Sequence, residues 1–483
     1  MNKRAVFHLV SYVTGVIGLA MIACAGVSLL YREAYGTWMS LVSSGLIALT
    51  AAGIVGASTR GDVNLTRRDG FGVVAFGWLS ATIFGSLPYV FSGVIPHPVS
   101  AMFETMSGFT TTGASVLSDL ESIPRGIHFW RALTHWFGGM GVLVLCVAIL
   151  PFLGVGGMQI YRAEMPGPSK DRLSPRITTT AKLLWGVYAL MTLVEAGLLK
   201  WVGGMNWFDA FCHAFGTMAT GGFSTRSASI GAYDSLAVEI IVIVFMFLAG
   251  VNFSLHYYAL TGKPGRYFRD SEFRFYLFFL LGCTLFIALD LARANYAGWG
   301  RCLRDSAFTA TSILTTTGFC TADFDRWPDA SRLLLVLMMF VGGCAGSTGG
   351  GMKVVRIQVT FKKIVRELKL FMRPSAVIRM KLGGKPLEEE VVSQIAAFFA
   401  IFVLTFAVGS LAMTFFTPDL GTALTSVAAT LGNIGPGLNA VGATQNYAAI
   451  PPAGQALLTF FMMLGRLELY TVLILFLPSY WKR

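Results

Sequence analysis

Four short turns in this chain share one three-residue pattern: a threonine or asparagine, then a variable residue, then a glycine. They are Thr111-Thr112-Gly113, Thr220-Gly221-Gly222, Thr316-Thr317-Gly318 and Asn433-Ile434-Gly435. Glycine reaches backbone angles that turn carbonyl oxygens inward with no side chain in the way. Rings of such oxygens can replace the water shell of a potassium ion. Because no turn contains an acidic residue, this chemistry suits a dehydrated monovalent cation better than a divalent one.

The turns recur at similar distances along the chain, since their last glycines are separated by 109, 96 and 117 residues. Each turn follows a short, half-polar segment between two long apolar segments, which predicts a repeated unit of helix, short re-entrant helix, turn and helix. A single Thr-Thr-Gly could serve only close helix packing, but four in matching places favour a repeat. The short helices, whose partially negative C-terminal ends would attract a cation, are predicted at Ala101–Thr110, Phe208–Ala219, Leu303–Thr315 and Gly421–Leu431.

The composition is that of an integral membrane protein. Of the 483 residues 54% are hydrophobic and 13% are charged, with a mean hydropathy of +0.64, whereas soluble domains average about 25% charged residues. A helix needs about 20 largely apolar residues to cross a bilayer, and irregular backbone at membrane depth is tolerated where it lines water. We therefore predict an all-α membrane protein with four helix–pore helix–helix units around one pore, two extra N-terminal helices and about ten transmembrane helices.

This organisation divides the chain into five predicted segments. Residues 1–68 hold the two extra helices, and Ala5–Leu30 is taken as a retained helix because it is too long for a signal peptide. The four pore units are predicted at residues 69–178, 179–270, 271–385 and 386–483.

The formal charge of +12 is distributed unevenly. Of the 37 Lys and Arg residues, 24 lie at the termini and in one set of loops, and eight lie in the opposite loops. This bias follows the positive-inside rule, so both termini are predicted to be cytoplasmic and nucleic acid is not expected as a partner. The seven cysteines are scattered, with no CxxC pair and no metal-ligand spacing.

A glycine-rich segment interrupts the long helix predicted from Ser331 to Phe371. Six glycines within ten residues cannot sustain a helix, at about 1 kcal/mol each relative to alanine. A phosphate loop would read GxxxxGK[ST], but Met352 separates the last glycine from Lys353, so no nucleotide is expected on this chain. We interpret the segment as a mobile gate beneath the turns. Its predicted residues are Gly342, Gly343, Gly346, Ser347, Thr348, Gly349, Gly350 and Gly351.

Three charged residues fall in apolar surroundings, where charge is costly and usually functional. Arg466 could form a positive barrier beneath the turns, or it could pair structurally with Glu468 or with carbonyls at a helix end. Glu195 and Arg131 are interpreted as a structural pair or as interfacial groups.

The chain resembles the TrkH family of the Trk/Ktr/HKT superfamily of potassium transporters over nearly its whole length. The superfamily likeness rests on the four turns. The TrkH likeness rests on WFGGMGVLVL (Trp136–Leu145), ILPFLGVGGMQIYRAEMPGP (Ile149–Pro168), GGCAGSTGGGMKVVRI (Gly342–Ile357) and GRLELYT (Gly465–Thr471).

The resemblance implies that backbone carbonyls of the four turns coordinate K⁺ ions, that residues 342–351 form an intramembrane gating loop and that Arg466 is the barrier. It also implies a homodimer in the lipid bilayer of the bacterial inner membrane, opened by a TrkA-like cytoplasmic ring that binds nucleotides. Because the fourth turn has Asn433 and then Pro436 in place of the Thr-x-Gly pattern, unequal quarters are expected.

Gated, channel-like K⁺ uptake is therefore the predicted function. A symporter coupled to H⁺ or Na⁺ is the alternative, although coupling usually needs an intramembrane acid and the turns contain none. An intramembrane enzyme is disfavoured because HExxH and GxSxG motifs are absent from the sequence. The basic segment Lys353–Lys385 could be a membrane-surface helix or a docking site for the regulator.

Overall fold

The computed structural model describes residues 1–61, 66–148 and 175–481. The motif at Ile149–Pro168 lies outside the described residues, as do all of residues 149–174 of the first predicted unit. The described chain is helical apart from one short hairpin of strands Lys381–Leu382 and Lys385–Pro386.

Each of the four units begins with a long apolar helix, here called its outer helix. These helices are long because their residues are apolar over a membrane-spanning length, and their outward sides carry exposed leucines such as Leu285 and Leu404. The outer helices of units 1 to 4 are Arg67–Gly85, Pro175–Trp201, Ser271–Arg293 and Glu389–Met413.

A short pore helix follows each outer helix. Its start is marked by local signals, such as Pro98 at the first position in unit 1 and the capping side chains of Asn206 and Asp419 in units 2 and 4. The pore helices are Pro98–Phe109, Trp207–Met218, Trp299–Leu314 and Leu420–Leu431. All four predicted pore helices are present, and each ends within one residue of its predicted end.

An inner helix completes each unit, and within the described residues it is broken in units 2, 3 and 4. In unit 1 it is Arg125–Ala148. In unit 2 Leu236–Ala249 and Phe253–Leu260 meet at a bend of 104°, and in unit 4 Pro452–Arg466 and Tyr470–Phe476 meet at 113°. In unit 3 Asp329–Met339 and Val354–Met372 are separated by the glycine-rich segment, as the sequence predicted.

Two further helices, Lys3–Leu30 and Tyr35–Ser58, precede the units and pack on each other. Asp69 joins them to unit 1, because it caps the first outer helix with Thr66 and accepts a hydrogen bond of 2.6 Å from the Asn2 amide. The remaining described elements are Leu87–Phe91, Arg266–Arg269, Pro478–Trp481 and the 3-10 turns Ser229–Tyr233, Phe324–Arg326 and Asn439–Val441.

Six described helices are long and apolar enough to cross a membrane, or eight if each bent pair is one span. The Arg125–Ala148 helix and the interrupted pair of unit 3 occupy the corresponding places in their units. With these two, the order of helices agrees with the ten passes predicted. The positions within the loops at which one unit ends and the next begins stay a prediction.

Burial is inverted relative to a soluble protein. Large apolar side chains cover the outside, such as Leu19 at 60% exposure and Leu411 at 67%. Hydroxyl residues of the turns and of the glycine-rich segment, such as Thr316 and Ser347, are fully buried. The fold thus buries its irregular, polar backbone inside the helix assembly, whose described apolar core forms five clusters.

Candidate functional site

All four pore helices end in the same hydrogen-bonded motif. In unit 1 the amide of Thr111 donates to the Gly108 carbonyl at 3.0 Å and that of Thr112 to the Ser107 carbonyl at 2.9 Å, which is the Schellman pattern of helix C-termini. The other units repeat both bonds at 2.8–3.2 Å, with donors Thr220 and Gly221, Thr316 and Thr317, and Asn433 and Ile434. The predicted turns are therefore one structural motif used four times.

Each turn contains two left-handed residues separated by one residue. The first is Thr111, Thr220, Thr316 or Asn433, with φ between 51° and 62°, and the second is Gly113, Gly222, Gly318 or Gly435, with φ between 78° and 100°. A β-branched residue with positive φ is a genuine outlier, and such strain collects at functional sites. Asparagine adopts the left-handed conformation readily. Asn433, which replaces threonine in the fourth turn, therefore fits the same backbone.

The four turns close into a ring in chain order. A Cβ atom added to a glycine of one turn would lie far inside van der Waals contact with a carbonyl oxygen of the next, so only glycine fits. The approaches are Gly113 to Gly221 O at 2.1 Å, Gly222 to Thr317 O at 2.0 Å, Gly318 to Ile434 O at 2.0 Å and Gly435 to Thr112 O at 2.7 Å. The middle residue of every turn thus presents its carbonyl at the junction between two units.

The quarters differ in their side chains. The hydroxyls of Thr110 and Thr112 lie 2.8 Å apart in unit 1, and those of Thr315 and Thr317 lie 2.7 Å apart in unit 3. Units 2 and 4 have no such pair, because Ala219 and Gly432 take the first position. In unit 4 the Asn433 amide instead donates to Thr112 Oγ1 at 3.0 Å and to the Met462 carbonyl at 2.9 Å, tying unit 4 to unit 1.

A histidine missed by the sequence analysis joins units 1 and 2. His135 Nε2 accepts the Phe223 amide at 3.2 Å, so its Nδ1 must carry the proton that is donated to the Gly108 carbonyl at 2.8 Å. The ring of His135 stacks on Phe223 and fills the space beside Gly221. Its WFGGMG sequence context gives no sign of this role, since both partners are distant in sequence.

Arg131 also holds these two units together, but with a different partner from the one considered. Its Nε lies 2.6 Å from Glu104 Oε1, and its Nη1 donates to the Ser224 carbonyl at 3.0 Å. The interpretation of Arg131 and Glu195 as a pair was wrong. Glu195 lies fully buried on the outer helix of unit 2, whereas Glu104 lies on the pore helix beside Arg131 and also accepts the Val116 amide.

The glycine-rich segment, residues 342–351, packs directly against the inner side of the ring. The Gly350 amide donates to Thr316 Oγ1 at 2.6 Å, and the Gly351 amide donates to the Gly432 carbonyl at 2.9 Å. Thr348 Oγ1 donates to the Met218 carbonyl at 2.9 Å. The segment thus fills acceptors at the ends of the pore helices of units 2, 3 and 4.

The segment is itself held at its sides. The Cys344 amide donates to the Gly250 carbonyl at 2.8 Å, and the Phe253 amide donates to the Gly346 carbonyl at 3.0 Å. The bend in the inner helix of unit 2 therefore binds the segment through two backbone hydrogen bonds. Lys353 Nζ donates to the Gly349 carbonyl. Within the segment, residues with positive φ are Gly342, Gly346 and Gly351, which explains why glycine is needed there.

Arg466 ends the upper part of the inner helix of unit 4 and is buried against the segment. Its Nη1 donates to the Thr348 carbonyl at 2.7 Å and its Nη2 to the Gly138 carbonyl at 3.3 Å. The alternative of an Arg466–Glu468 pair was wrong, because Glu468 lies 2.5 Å from Arg356 Nη2 instead. A guanidinium therefore lies beneath the ring in contact with the segment.

Glu272 is a further residue that the sequence analysis missed. It lies in the first turn of the outer helix of unit 3, and its Oε1 accepts the Ala345 amide at 2.7 Å and the Val355 amide at 3.1 Å. One carboxylate therefore binds the backbone both within the glycine-rich segment and just after it. Acidic residues are common in first turns, so its position alone gave no signal.

Comparisons with known proteins agree with this geometry. The family model of TrkH, described as a cation transport protein, matches residues 39–483. The chain is 46% identical to the Trk system potassium uptake protein TrkH of Salmonella typhimurium and 45% identical to that of Escherichia coli, each over 79% of both chains. The crystal structure of the potassium transporter TrkH from Vibrio parahaemolyticus aligns over the whole of both chains with a TM-score of 0.92 and 37% identity.

The chain belongs to the TrkH family. This confirms the resemblance on which the expectations above depend, and it confirms the all-helical membrane fold. The TrkH family is described by its transport of cations, which agrees with a site built from backbone carbonyls. It also places the ring, the segment at residues 342–351 and Arg466 within a multi-pass membrane transport protein.

Proposed function

We propose that this protein mediates K⁺ uptake through the ring of four turns, which acts as a gated, channel-like selectivity filter. The observation that carries the proposal is the closure of the ring, in which the glycine of each turn meets a carbonyl of the next. Carbonyls of Thr111–Gly113, Thr220–Gly222, Thr316–Gly318 and Asn433–Gly435 would replace the water of K⁺. The naming of its relatives as potassium uptake proteins supports the choice of ion.

The segment at residues 342–351 is the proposed gate. Its amides and the Thr348 hydroxyl occupy carbonyl and hydroxyl oxygens at the inner ends of three pore helices, and these groups are then unavailable to a passing ion. Arg466 and Lys353 add two positive charges to this layer. A cation leaving the ring would therefore meet both a steric block and an electrostatic one.

Opening requires the gate to give up these contacts, and we propose that a TrkA-like cytoplasmic ring that binds nucleotides provides the energy. In this proposal the nucleotide binds to the regulatory ring and not to this chain. The chain acts as a homodimer in the bacterial inner membrane, with both termini on the cytoplasmic side, where most Lys and Arg residues of the loops would lie.

The direct test is rescue of a bacterium that lacks K⁺ uptake systems, grown on low potassium, followed by single-channel recording in planar bilayers. Unitary currents that reverse at the Nernst potential of K⁺ support the channel-like filter. Currents that reverse at a potential set jointly by K⁺ and H⁺ or Na⁺ would instead assign coupled symport. Deletion of Gly346–Gly350 should raise the ungated K⁺ flux, and an unchanged flux would contradict the role of the gate.

A further inference from the structure

A cationic cavity of about 460 Å³ lies where the outer helix of unit 3 begins. Its polar end is formed by Arg269, Arg274 and Lys362, together with Gln358 and the Gly383-Gly384 turn of the hairpin. Arg269 and Arg274 form no salt bridge with any residue in the described ranges. Three positive groups thus converge on a concave surface without an acidic residue in its lining.

Two groups in the cavity have hydrogen-bonding capacity to spare. Lys362 Nζ donates to the Lys381 carbonyl at 2.9 Å, and an ammonium group has two further protons to donate. Gln358 Oε1 is buried and has no hydrogen-bond partner among the residues that the structure describes. The site therefore offers charge to an anion and an acceptor to a hydroxyl group beside it.

The cavity becomes apolar along the outer helix of unit 3. Phe275 and Phe278 line it, and Phe278 is 69% exposed. On the same helical stripe, Gly282 and Phe286 line a second groove of about 410 Å³, whose other wall is apolar and belongs to the inner helix of unit 3. Because spacings of three and four residues share one helix face, the cationic cavity and the apolar groove follow one line from the helix start into the membrane.

We infer that this line binds one anionic phospholipid, with its phosphate among Arg269, Arg274 and Lys362 and an acyl chain along Phe278, Gly282 and Phe286. Basic pockets between membrane helices recognise anionic headgroups, and the helix N-terminus at Ser271 adds a favourable dipole. A headgroup with a free hydroxyl, as in phosphatidylglycerol, would also supply the donor that Gln358 Oε1 lacks.

The site has a connection to the gate. Ser271 and Arg274 line the cavity, and between them Glu272 accepts the amides of Ala345 and Val355. A lipid bound at this helix turn would stabilise the turn that holds the gate. The lipid assignment does not depend on the ion transported, because it is measured as binding.

The test is native mass spectrometry and thermal melting of the purified full-length protein in detergent. We expect phosphatidylglycerol to remain bound and to stabilise the protein, whereas phosphatidylcholine with the same acyl chains, inorganic phosphate and ATP do not. The R269Q/R274Q/K362Q variant should bind phosphatidylglycerol on the order of 100-fold more weakly, since each basic residue contributes about fivefold. The K263Q/K369Q/R373Q variant removes three exposed charges outside the cavity and should bind as the native protein does.

A second variant tests the acyl-chain groove without changing charge. Gly282 has open space around the position of an added Cβ, so Gly282→Leu should fill the groove and weaken phosphatidylglycerol binding while the protein still folds. Equal binding by the native protein and both cavity variants would overturn the inference. Equal stabilisation by phosphatidylcholine would contradict recognition of the headgroup charge. Stabilisation by phosphate or ATP alone would show that the bound anion is not a lipid.

Discussion

The four turns of the ring repeat one backbone design, whereas the inner helices beneath them do not share one design. Above, each unit contributes the same two hydrogen bonds and the same two left-handed residues. Below, the inner helix is a single helix over its described length in unit 1, bent in units 2 and 4 and interrupted in unit 3. The proposed function explains this difference, because a ring of ion ligands needs similar contributions from all sides whereas a block needs only one chain segment. A single polypeptide can provide both, because the sequence of each unit can change independently of the other three.

The sharpest way to break the symmetry of the ring is Gly318→Ala. The added Cβ would lie 2.0 Å from the Ile434 carbonyl oxygen, so the two turns must move apart. The φ of 81° at this position is also unfavourable for alanine. We expect K⁺ uptake at equal protein amount in the membrane to fall by at least tenfold, given about 1–3 kcal/mol for the backbone alone. Gly93→Ala is the matched control, because Gly93 has a φ of 76° and open space around it. Equal losses in both variants would contradict the ring.

The layer beneath the ring is tested by Arg466→Ala. Removing the guanidinium deletes its bonds to the Thr348 and Gly138 carbonyls, and hydrogen bonds to charged groups contribute about 1.5–3 kcal/mol. We expect K⁺ or Rb⁺ flux without the regulator to rise about tenfold. Arg466→Lys keeps the charge but loses the planar fork, so its flux should fall between the two. An Ala variant that conducts no faster than the native protein would exclude the barrier role of Arg466.

A smaller effect is expected at the outer support of the gate. Glu272→Ala removes the acceptor for the Ala345 and Val355 amides, which should raise the leak a few-fold and speed amide hydrogen exchange at these two residues. Glu272→Gln keeps one acceptor oxygen and should have less effect. Glu33→Ala is the control, because Glu33 likewise accepts two backbone amides, those of Arg125 and Gly126, away from the gate. A leak of the same size in Glu33→Ala would show that the leak comes from general destabilisation of the protein and not from the loss of Glu272.

The smallest expected change comes from making the quarters more alike. Asn433→Thr gives all four turns threonine at the first left-handed position, but it loses the amide bonds to Thr112 and Met462. We expect a lower melting temperature, from about 0.5–1.5 kcal/mol per lost bond, and a change of a few-fold in the K⁺/Na⁺ permeability ratio. Asn439→Thr controls for the left-handed backbone, since Asn439 has a φ of 58° outside the ring. A permeability ratio that is altered equally by both variants would remove Asn433 from selectivity.

Much of this molecule could be predicted from local sequence patterns. The pore-helix ends were correct to within one residue because the glycine turn that follows each short segment marks where the helix stops. The interrupted helix of unit 3 was predicted correctly for the same kind of reason, since six glycines weaken a helix irrespective of its neighbours. The bends in units 2 and 4 were not predicted, because each occupies three residues of ordinary composition.

What only the tertiary structure decided is which distant residues meet. Parts of the chain that are far apart in sequence are joined by the pairs Arg131–Glu104 and Glu468–Arg356, by His135, and by Glu272, which holds the glycine-rich segment. A buried charge needs a partner, but its sequence context does not name one, because several residues of suitable charge are available and only packing selects among them. The sequence by itself determined four similar turns and one gate-like segment, since glycine content, polarity and spacing act locally. Their closure into one ring, with the segment beneath it, is a property of the packed helices.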